Sequence, residues 1–356
     1  MSAGAGVPDV DVDGSGVPGA PATRVTPMLG RLMLLTTAAV WGTSYTFSKH
    51  VLNAMPLQWM MVCRTVVGAL LVGVIFLPRL RRVRLRNLLM PGFILAVTYW
   101  LAFTVQMRGL DYTAPGHNAF LTATYCVFVP FLMWGLTRRR PRLQHVVAAV
   151  VCLVGVGFVS LGGEVGAGAG VVGAGAGAGA GVGVAGVASA ASPALGSFLG
   201  VGVGDWVSLA GGMLFGVNIT LTGWLSRKFD PIALTFVEFC MSTVMFLAAA
   251  LLTEGGFDPS WMRPDVVGSL LYLAAGSTVI AQICESVGMR VVPAAQGSII
   301  MCTESLFSFL FSMALTGERA TVPALVGFAV IFASMVFSEL PMPARRRAKD
   351  ALTETL

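Results

Sequence analysis

Ten apolar stretches, each about as long as a membrane-spanning helix, run along this chain of 356 residues. A helix needs about 20 consecutive apolar residues to cross the hydrocarbon core of a bilayer. Only 11% of the residues are charged, against about 25% in a typical soluble protein. The sequence therefore predicts an all-α membrane protein with ten transmembrane helices. The predicted spans are 30–48, 57–77, 88–107, 114–137, 143–161, 205–226, 231–253, 265–287, 293–316 and 321–340.

The stretches form two sets of five that echo each other. Because five is odd, the second set enters the membrane in the opposite orientation, which predicts two inverted five-helix repeats. Residues 114–161 align without gaps onto 293–340, an offset of 179, and nine pairs are identical, Thr124 and Thr303 among them. Inverted repeats are common in secondary transporters, which bind their substrate where the repeats meet.

The distribution of Lys and Arg predicts the orientation in the membrane. Cytoplasmic loops carry an excess of these residues, and 18 of the 23 fall in cytoplasmic segments if the N-terminus is cytoplasmic. The pattern predicts a multi-pass protein of the cytoplasmic membrane with both termini inside. The net charge of +6 is thus a topology signal, so the lipid bilayer is an expected partner and nucleic acid is not. A homodimer is left open.

Composition divides the chain into five parts. The Gly- and Ala-rich stretch between the two repeats could be mistaken for another span, but glycine is a poor helix former, so we predict a flexible linker. The predicted parts are a disordered cytoplasmic tail (1–29), the first five-helix repeat (30–161), the linker (162–204), the second repeat (205–340) and a basic cytoplasmic tail (341–356).

Motifs for enzymatic chemistry are missing from the sequence. There is no Walker A, HExxH or GxSxG pattern, so neither ATP hydrolysis nor another enzymatic activity is expected. All six cysteines fall in predicted spans without a CxxC or Cys/His pattern, which predicts packing residues and no metal site or disulfide framework. No cofactor is expected. An intramembrane enzyme and a non-transporting scaffold remain remote alternatives.

Ionisable residues inside spans are the first candidates for function, because a charge at mid-membrane costs about 2.5–3.5 kcal/mol. Glu304 lies near mid-depth and is a candidate for binding a proton, a cation or a substrate amine, or else a structural carboxylate. Arg64 and Glu238 lie at roughly matching places in the two repeats. Arg64 is either a clamp for a substrate carboxylate or a packing cation, and Glu238 is either a structural carboxylate or a second ion-coupling candidate. Glu285 is expected near a span end, within reach of the membrane surface.

Aromatic and polar side chains provide further candidates. Trp41 and Tyr45 share one face of the first predicted helix with serines, which indicates a cavity wall, although Trp41 could be an interfacial anchor. Each of the other polar candidates could instead form an interhelical hydrogen bond. These other substrate-binding candidates are Tyr99, Asn118, Tyr125, Asn218 and Gln282.

Helix-breaking residues occur at corresponding places in the fourth and ninth spans. Pro115, Gly116 and Pro130 interrupt one, and Pro293 and Gly297 interrupt the other. Breakers in both halves indicate a binding site, although they also fit ordinary kinks beside short loops.

Several of these positions together resemble a known family. Trp41 to Lys49 reads WGTSYTFSK, Pro56 is followed by Arg64, and Thr303-Glu304 precedes Gly317-Glu318. This order is similar to that of the EamA branch of the drug/metabolite transporter superfamily. The resemblance implies a ten-helix permease with a central cavity lined by helices one to four and six to nine. Ser305 departs from the proline common in that family, and Arg138-Arg139 from its Gly-Glu, so no relative's substrate can be carried over.

The sequence thus predicts a secondary transporter that moves a small amphipathic metabolite by alternating access. The expected substrate is amino acid-like, an amine or a drug-like compound, and efflux is favoured only by the resemblance. Import or exchange of a metabolite or vitamin is the alternative.

Overall fold

The computed structural model describes residues 25–112, 115–138, 140–167, 203–316 and 322–340, and these contain helices and no strand. Both predicted tails lie largely or wholly outside the described residues, as does most of the predicted linker. The helices are α1 (Pro27–Leu52), α2 (Leu57–Ile75), α3 (Leu77–Leu80), α4 (Leu89–Tyr112), α5 (Pro115–Ala123), α6 (Tyr125–Thr137), α7 (Leu143–Ala167), α8 (Val203–Leu225), α9 (Pro231–Thr253), α10 (Pro264–Tyr272), α11 (Ala281–Val291), α12 (Ala294–Met301), α13 (Glu304–Thr316) and α14 (Val322–Glu339). A π-helical segment, Leu273–Ile280, joins α10 to α11.

Seven segments of the described chain are long and apolar enough to cross a membrane. Two further apolar helical segments, Leu143–Phe158 and Leu325–Ser338, are shorter, and α1 has 26 residues but carries Arg31 and Lys49. The prediction of an all-α, multi-pass membrane protein is confirmed. The seven segments are Leu57–Ile75, Leu85–Tyr112, Asn118–Thr137, Trp206–Leu225, Pro231–Thr253, Pro264–Val291 and Ala294–Phe311.

Local capping determines where several helices begin. The Thr26 side chain accepts a hydrogen bond from the Leu29 amide, and Asp230 accepts one from the Ala233 amide at 2.9 Å. Both threonine and aspartate are favoured at this position because they satisfy amides that the first turn leaves unpaired. Helix α2 has no such residue of its own, and the Glu254 carboxylate, directly after α9, accepts from its first amides instead.

Small residues allow the helices to approach closely. A Cβ at Gly42 on α1 would lie 2.5 Å from the Glu304 carbonyl oxygen on α13. A Cβ at Gly155 on α7 would lie 2.9 Å from the Gly327 carbonyl oxygen on α14. Association of helices in a membrane depends on such close packing, because lipid tails are as apolar as the side chains. Helix α1 is thereby held against the start of α13.

Two spans are broken at equivalent positions. Helix α5 ends at Ala123 and α6 begins at Tyr125, while α12 ends at Met301 and α13 begins at Glu304. Thr124 and Thr303 lie at these breaks, 179 residues apart, and each side-chain hydroxyl donates to the carbonyl three residues earlier at 2.7 Å. Such back-bonding competes with the helical ladder and bends helices.

The breaks do not lie at the residues that the sequence indicated. Pro115 begins α5, Pro293 precedes α12, and Pro130 lies inside α6 without ending it. A proline fits the start of a helix, where its missing amide costs nothing. Thr124 occupies the first break, and Cys302 and Thr303 occupy the second.

Candidate functional site

A small cavity lies among the described helices, next to both breaks. Its walls come from α1, α2, α4, α5, α6, α8, α13 and the π-helical segment, and they combine aromatic rings with polar groups and one residue of each charge. The lining residues are Trp41, Ser44, Tyr45, Arg64, Phe103, Gln106, Met107, Thr122, Tyr125, Phe215, Ser277 and Glu304.

Five of the predicted site residues line this cavity, and five do not. Tyr99, Glu238 and Gln282 pack elsewhere in the core, while Asn118 and Asn218 bond to neighbouring helices. The five that line it are Trp41, Tyr45, Arg64, Tyr125 and Glu304.

Aromatic rings form one wall. Trp41 is only 7% exposed and its indole Nε1 donates to the Ser277 carbonyl at 3.1 Å, so it is not an interfacial anchor. Its ring meets that of Phe215 edge to face at 6.2 Å, and Phe103 meets Phe215 at 4.9 Å. Neither phenylalanine was predicted, because a phenylalanine in an apolar span carries no signal of the face it occupies.

Arg64 is a buried cation without an acidic partner among the described residues. Its Nε donates to the Thr278 hydroxyl and its Nη2 to the Ser277 hydroxyl, both at 3.1 Å. The guanidinium carbon lies 5.3 Å from the centre of the Phe103 ring, within the range of a cation–π contact. The guanidinium thus has neutral partners that leave its positive charge uncompensated by any of the described carboxylates.

Ser277 and Thr278 were not predicted as site residues. They lie in the π-helical segment, and such segments frequently mark functional sites in otherwise regular helices. In the sequence, the signal that could have identified these two residues is a pair of adjacent hydroxyl side chains within an apolar span.

Glu304 supplies the acidic group of the cavity. Its side chain is 1% exposed, and its Oε1 atom accepts no hydrogen bond from the described residues. The Tyr125 hydroxyl, which lines the same cavity, also has none. A buried polar atom left unpaired costs about 1–3 kcal/mol. The two groups are close enough to interact with each other, and each oxygen can accept a hydrogen bond from a ligand.

A hydrogen-bonded group closes another side of the cavity. The Gln106 side-chain amide donates to the Tyr45 hydroxyl at 3.0 Å and to the Thr122 hydroxyl at 3.3 Å. Asn118 lies behind it and donates to the Gln106 carbonyl and to the Ser208 hydroxyl. Asn118, predicted to contact substrate, therefore supports the residue that does line the cavity.

Two more buried carboxylates lie outside the cavity wall. Neither Glu238 nor Glu285 is exposed, and none of their oxygens has a hydrogen bond within the described part of the chain. The expectation that Glu285 reaches the membrane surface is wrong, because the helix continues to Val291 and carries Glu285 inside the bundle. Glu285 lies close enough to both Glu238 and Glu304 for their charges to affect it.

The remaining predicted residues surround these acids. Asn218 donates to the Thr98 hydroxyl at 3.0 Å and to the Leu95 carbonyl at 3.4 Å. Tyr99 stacks obliquely on Phe103 at 4.4 Å and interacts with Arg64. Gln282 is buried, and its amide nitrogen has no hydrogen-bond acceptor among the described residues.

A known protein family and several known proteins resemble this chain over most of its length. The family model described as the EamA-like transporter family matches the chain twice, at residues 28–161 and 202–339. An uncharacterized transporter of Archaeoglobus fulgidus is 23% identical over 318 residues, 89% of this chain and 88% of that protein. The uncharacterized transporter YvbV of Bacillus subtilis is 24% identical over 344 residues, 94% of this chain and 97% of its own length.

The fold is also found among solved structures. One crystal structure superposes with a TM-score of 0.63 over 87% of this chain and 96% of its own, at 15% sequence identity. At that identity the likeness concerns the fold alone.

Proposed function

Since the chain belongs to the EamA-like transporter family, we propose that it is a secondary transporter of a small amphipathic metabolite in the cytoplasmic membrane. Ten helices would form two inverted five-helix repeats with both termini in the cytoplasm. Alternating access would arise from one repeat rocking against the other around the central cavity.

The helix boundaries support the repeat. The first residues of α6 and α13, Tyr125 and Glu304, are 179 residues apart, and so are the first residues of α7 and α14, Leu143 and Val322. The two family matches divide the chain in the same way. Broken helices in corresponding places of two repeats are typical of transporter binding sites.

The observation that carries the substrate class is the presence of Glu304 and Arg64 in one aromatic cavity. The carboxylate suits an ammonium group, and the guanidinium offers forked donors to a carboxylate. Trp41, Phe103 and Phe215 provide apolar surface for the rest of the molecule. We therefore propose an amino acid-like zwitterion as substrate. A simple amine or a cationic drug-like compound, which would use Glu304 and the aromatic wall alone, is the second choice.

Glu304 and Glu238 are the proposed ion-coupling residues, and Glu285 lies close to both. Carboxylates inside membrane bundles commonly carry protons or bind cations in transporters. A substrate amine bound at Glu304 would compete with a proton there, which provides a physical basis for exchange. We propose efflux as the direction because of the family resemblance, and import or exchange of a metabolite or vitamin is the alternative.

Two non-transport functions predict different behaviour. An intramembrane enzyme would convert a compound without moving it across the membrane, and a scaffold would do neither. Flux of an unmodified compound into or out of protein-containing vesicles distinguishes transport from both.

The experiment begins with purified full-length protein in detergent. Thermal unfolding is measured with three sets of compounds: amino acids, the amines that lack their carboxyl group, and the acids that lack their amino group. We expect amino acids to stabilise the protein most, since a ligand that binds the folded state raises its stability. Compounds that stabilise it are then tested for flux in reconstituted vesicles.

Matched variants link the flux to the cavity. Trp41→Ala removes part of the aromatic wall, whereas Trp224→Ala removes a tryptophan that packs under Lys228 outside the cavity. We expect flux to fall in the first variant and to persist in the second. Equal loss in both, or chemical conversion without flux, would contradict the proposed function.

A further inference from the structure

Three of the six cysteines come together in the described core. The Sγ atoms of Cys126, Cys152 and Cys302 all lie within 4.8 Å of one another, and none of the three side chains is exposed. The sequence did not reveal this group, because its members come from α6, from α7 and from the break between α12 and α13. The three are buried free thiols, as expected of packing residues, and the structure adds that they pack against one another.

The group lies at the two helix breaks. Cys126 follows Tyr125, and Cys302 is separated from Glu304 only by Thr303. The Cys302 thiol donates to the Ala123 carbonyl at 3.2 Å, and the Cys126 thiol donates to the Ala149 carbonyl at 3.6 Å. The thiols thus connect both breaks with α7, directly behind two residues that line the central cavity.

We propose that Cys126, Cys152 and Cys302 form a binding site for one soft metal cation of the Cu(I) class. Thiolate ligands select soft cations such as Cu(I), together with zinc and iron–sulfur clusters. Structural zinc sites almost always use four protein ligands. No fourth cysteine, and no histidine or carboxylate, joins the three thiols in the described part of the chain. Three sulfur donors in a closed apolar site favour a cation that accepts a low coordination number.

Proton balance is simple. Charge balance requires one thiol to lose its proton to solvent as Cu(I) enters, while the other two sulfur atoms coordinate the ion as neutral thiols. No electron is transferred when the metal arrives as Cu(I). The single thiolate offsets the charge of the ion, which an apolar interior would otherwise exclude.

The consequence is a clamp across the two broken helices. An ion held by α6, α7 and the α12–α13 break fixes the backbone on which Tyr125 and Glu304 are carried. A ligand that binds only the folded state raises thermal stability in proportion to the logarithm of its concentration. This proposal does not depend on the identity of any transported compound, because metal binding is measured directly.

The test uses purified full-length protein in detergent, kept anaerobic with ascorbate and titrated with Cu(I) against a coloured Cu(I) chelator. We expect one Cu(I) per chain and an X-ray absorption spectrum with sulfur as the only near ligand. Cys126→Ser and Cys302→Ser should each lose the ion. The matched control replaces Cys63, Cys240 and Cys284, which lie outside the group, by alanine and leaves only the three clustered thiols.

We expect this triple variant to bind one Cu(I) with unchanged affinity. Loss of binding in it would overturn the proposal, and so would unchanged binding in Cys302→Ser. If either serine variant fails to fold, the triple variant still tests the proposed site. Fewer than three sulfur ligands in its X-ray absorption spectrum would contradict that site. An added ion that leaves thermal stability unchanged would refute the clamp.

Discussion

Tyr125 and Glu304 are the first residues after the two helix breaks, 179 residues apart, and both face the same cavity. The Tyr125 hydroxyl and the Glu304 Oε1 atom are both buried without a hydrogen-bond partner among the described residues. The two equivalent positions therefore carry a phenol in the first half of the chain and a carboxylate in the second half. The cavity is asymmetric in charge although the breaks around it match.

Glu304→Gln should weaken the binding of amine-bearing substrates about tenfold to a hundredfold. Hydrogen bonds to charged groups contribute about 1.5–3 kcal/mol, and 1.4 kcal/mol corresponds to a factor of ten. The variant should also abolish any proton-driven flux, because glutamine cannot take up a proton. Binding is measured by titration calorimetry, and flux in vesicles with an imposed pH gradient. Glu254→Gln, a carboxylate outside the cavity, is the control. Unchanged pH dependence in Glu304→Gln would remove this residue from coupling.

Arg64→Ala should discriminate between substrate classes. The variant loses the donors for a substrate carboxylate, so we expect amino acids to bind at least about tenfold more weakly. The corresponding amines, which do not need the guanidinium, should bind with nearly wild-type affinity. Arg227→Ala removes a cation that instead donates to the Met289 and Val292 carbonyls, and it should leave both affinities unchanged. Equal weakening of amines and amino acids in Arg64→Ala would indicate that Arg64 is a packing residue.

Gly42→Ala tests the close approach of α1 to α13. The added Cβ would lie 2.5 Å from the Glu304 carbonyl oxygen and 2.7 Å from Phe307 Cβ. Overpacking of this kind costs about 1–3 kcal/mol. We expect a lower unfolding temperature, and weaker substrate binding because Glu304 must shift with its backbone. Gly268→Ala is the matched control, since no atom lies within 4 Å of its added Cβ. There, alanine should be neutral or stabilising, and a similar loss in both variants would show that steric contact is not the cause.

Periodicity and depth in the sequence indicate some of the residues that line the cavity. Trp41 and Tyr45 share one face of a single helix, and Arg64 and Glu304 are ionisable residues too deep to reach the surface, so one helix was enough to identify each. Asn118 and Asn218 were predicted on polarity alone. A buried amide side chain can form its hydrogen bonds with a neighbouring helix or with a ligand. Only the packing of the helices shows which of these occurs.

The features of the site that the sequence did not predict depend on contacts between helices. Ser277 and Thr278 matter because Arg64 faces them across the bundle, and the three clustered thiols come from separate spans. Glu285 was assigned to the surface because its predicted span ended at 287, whereas α11 continues to Val291. A few residues of extra helix move a side chain several ångströms deeper, at about 1.5 Å per residue.

Glu254 leads to a prediction about pH, because it lies beyond the end of α9 and caps α2 from outside the spans. Both of its carboxylate oxygens lie 3.0 Å from the Gln58 amide, and one lies 3.2 Å from the Trp59 amide. Burial raises the pKa of this carboxyl, against the lowering effect of the two amides and of Arg108. The folded protein therefore holds a proton here more readily than the unfolded chain does. The resulting stabilisation is fully present below the unfolded pKa, about 4.3 for glutamate, and is lost as pH rises through the higher folded value.

Glu254→Gln should remove this dependence, because the neutral amide keeps an acceptor oxygen without a buried charge. We expect the unfolding temperature of the wild type, relative to this variant, to be highest near about pH 4 and to fall toward neutral pH. Parallel thermal scans in detergent across that range measure the difference. Glu254→Ala should lose the cap of α2 at every pH, a cost of about 1 kcal/mol. A difference between wild type and Glu254→Gln that stays constant or grows with pH would show that the amides of α2, rather than burial, govern this carboxylate.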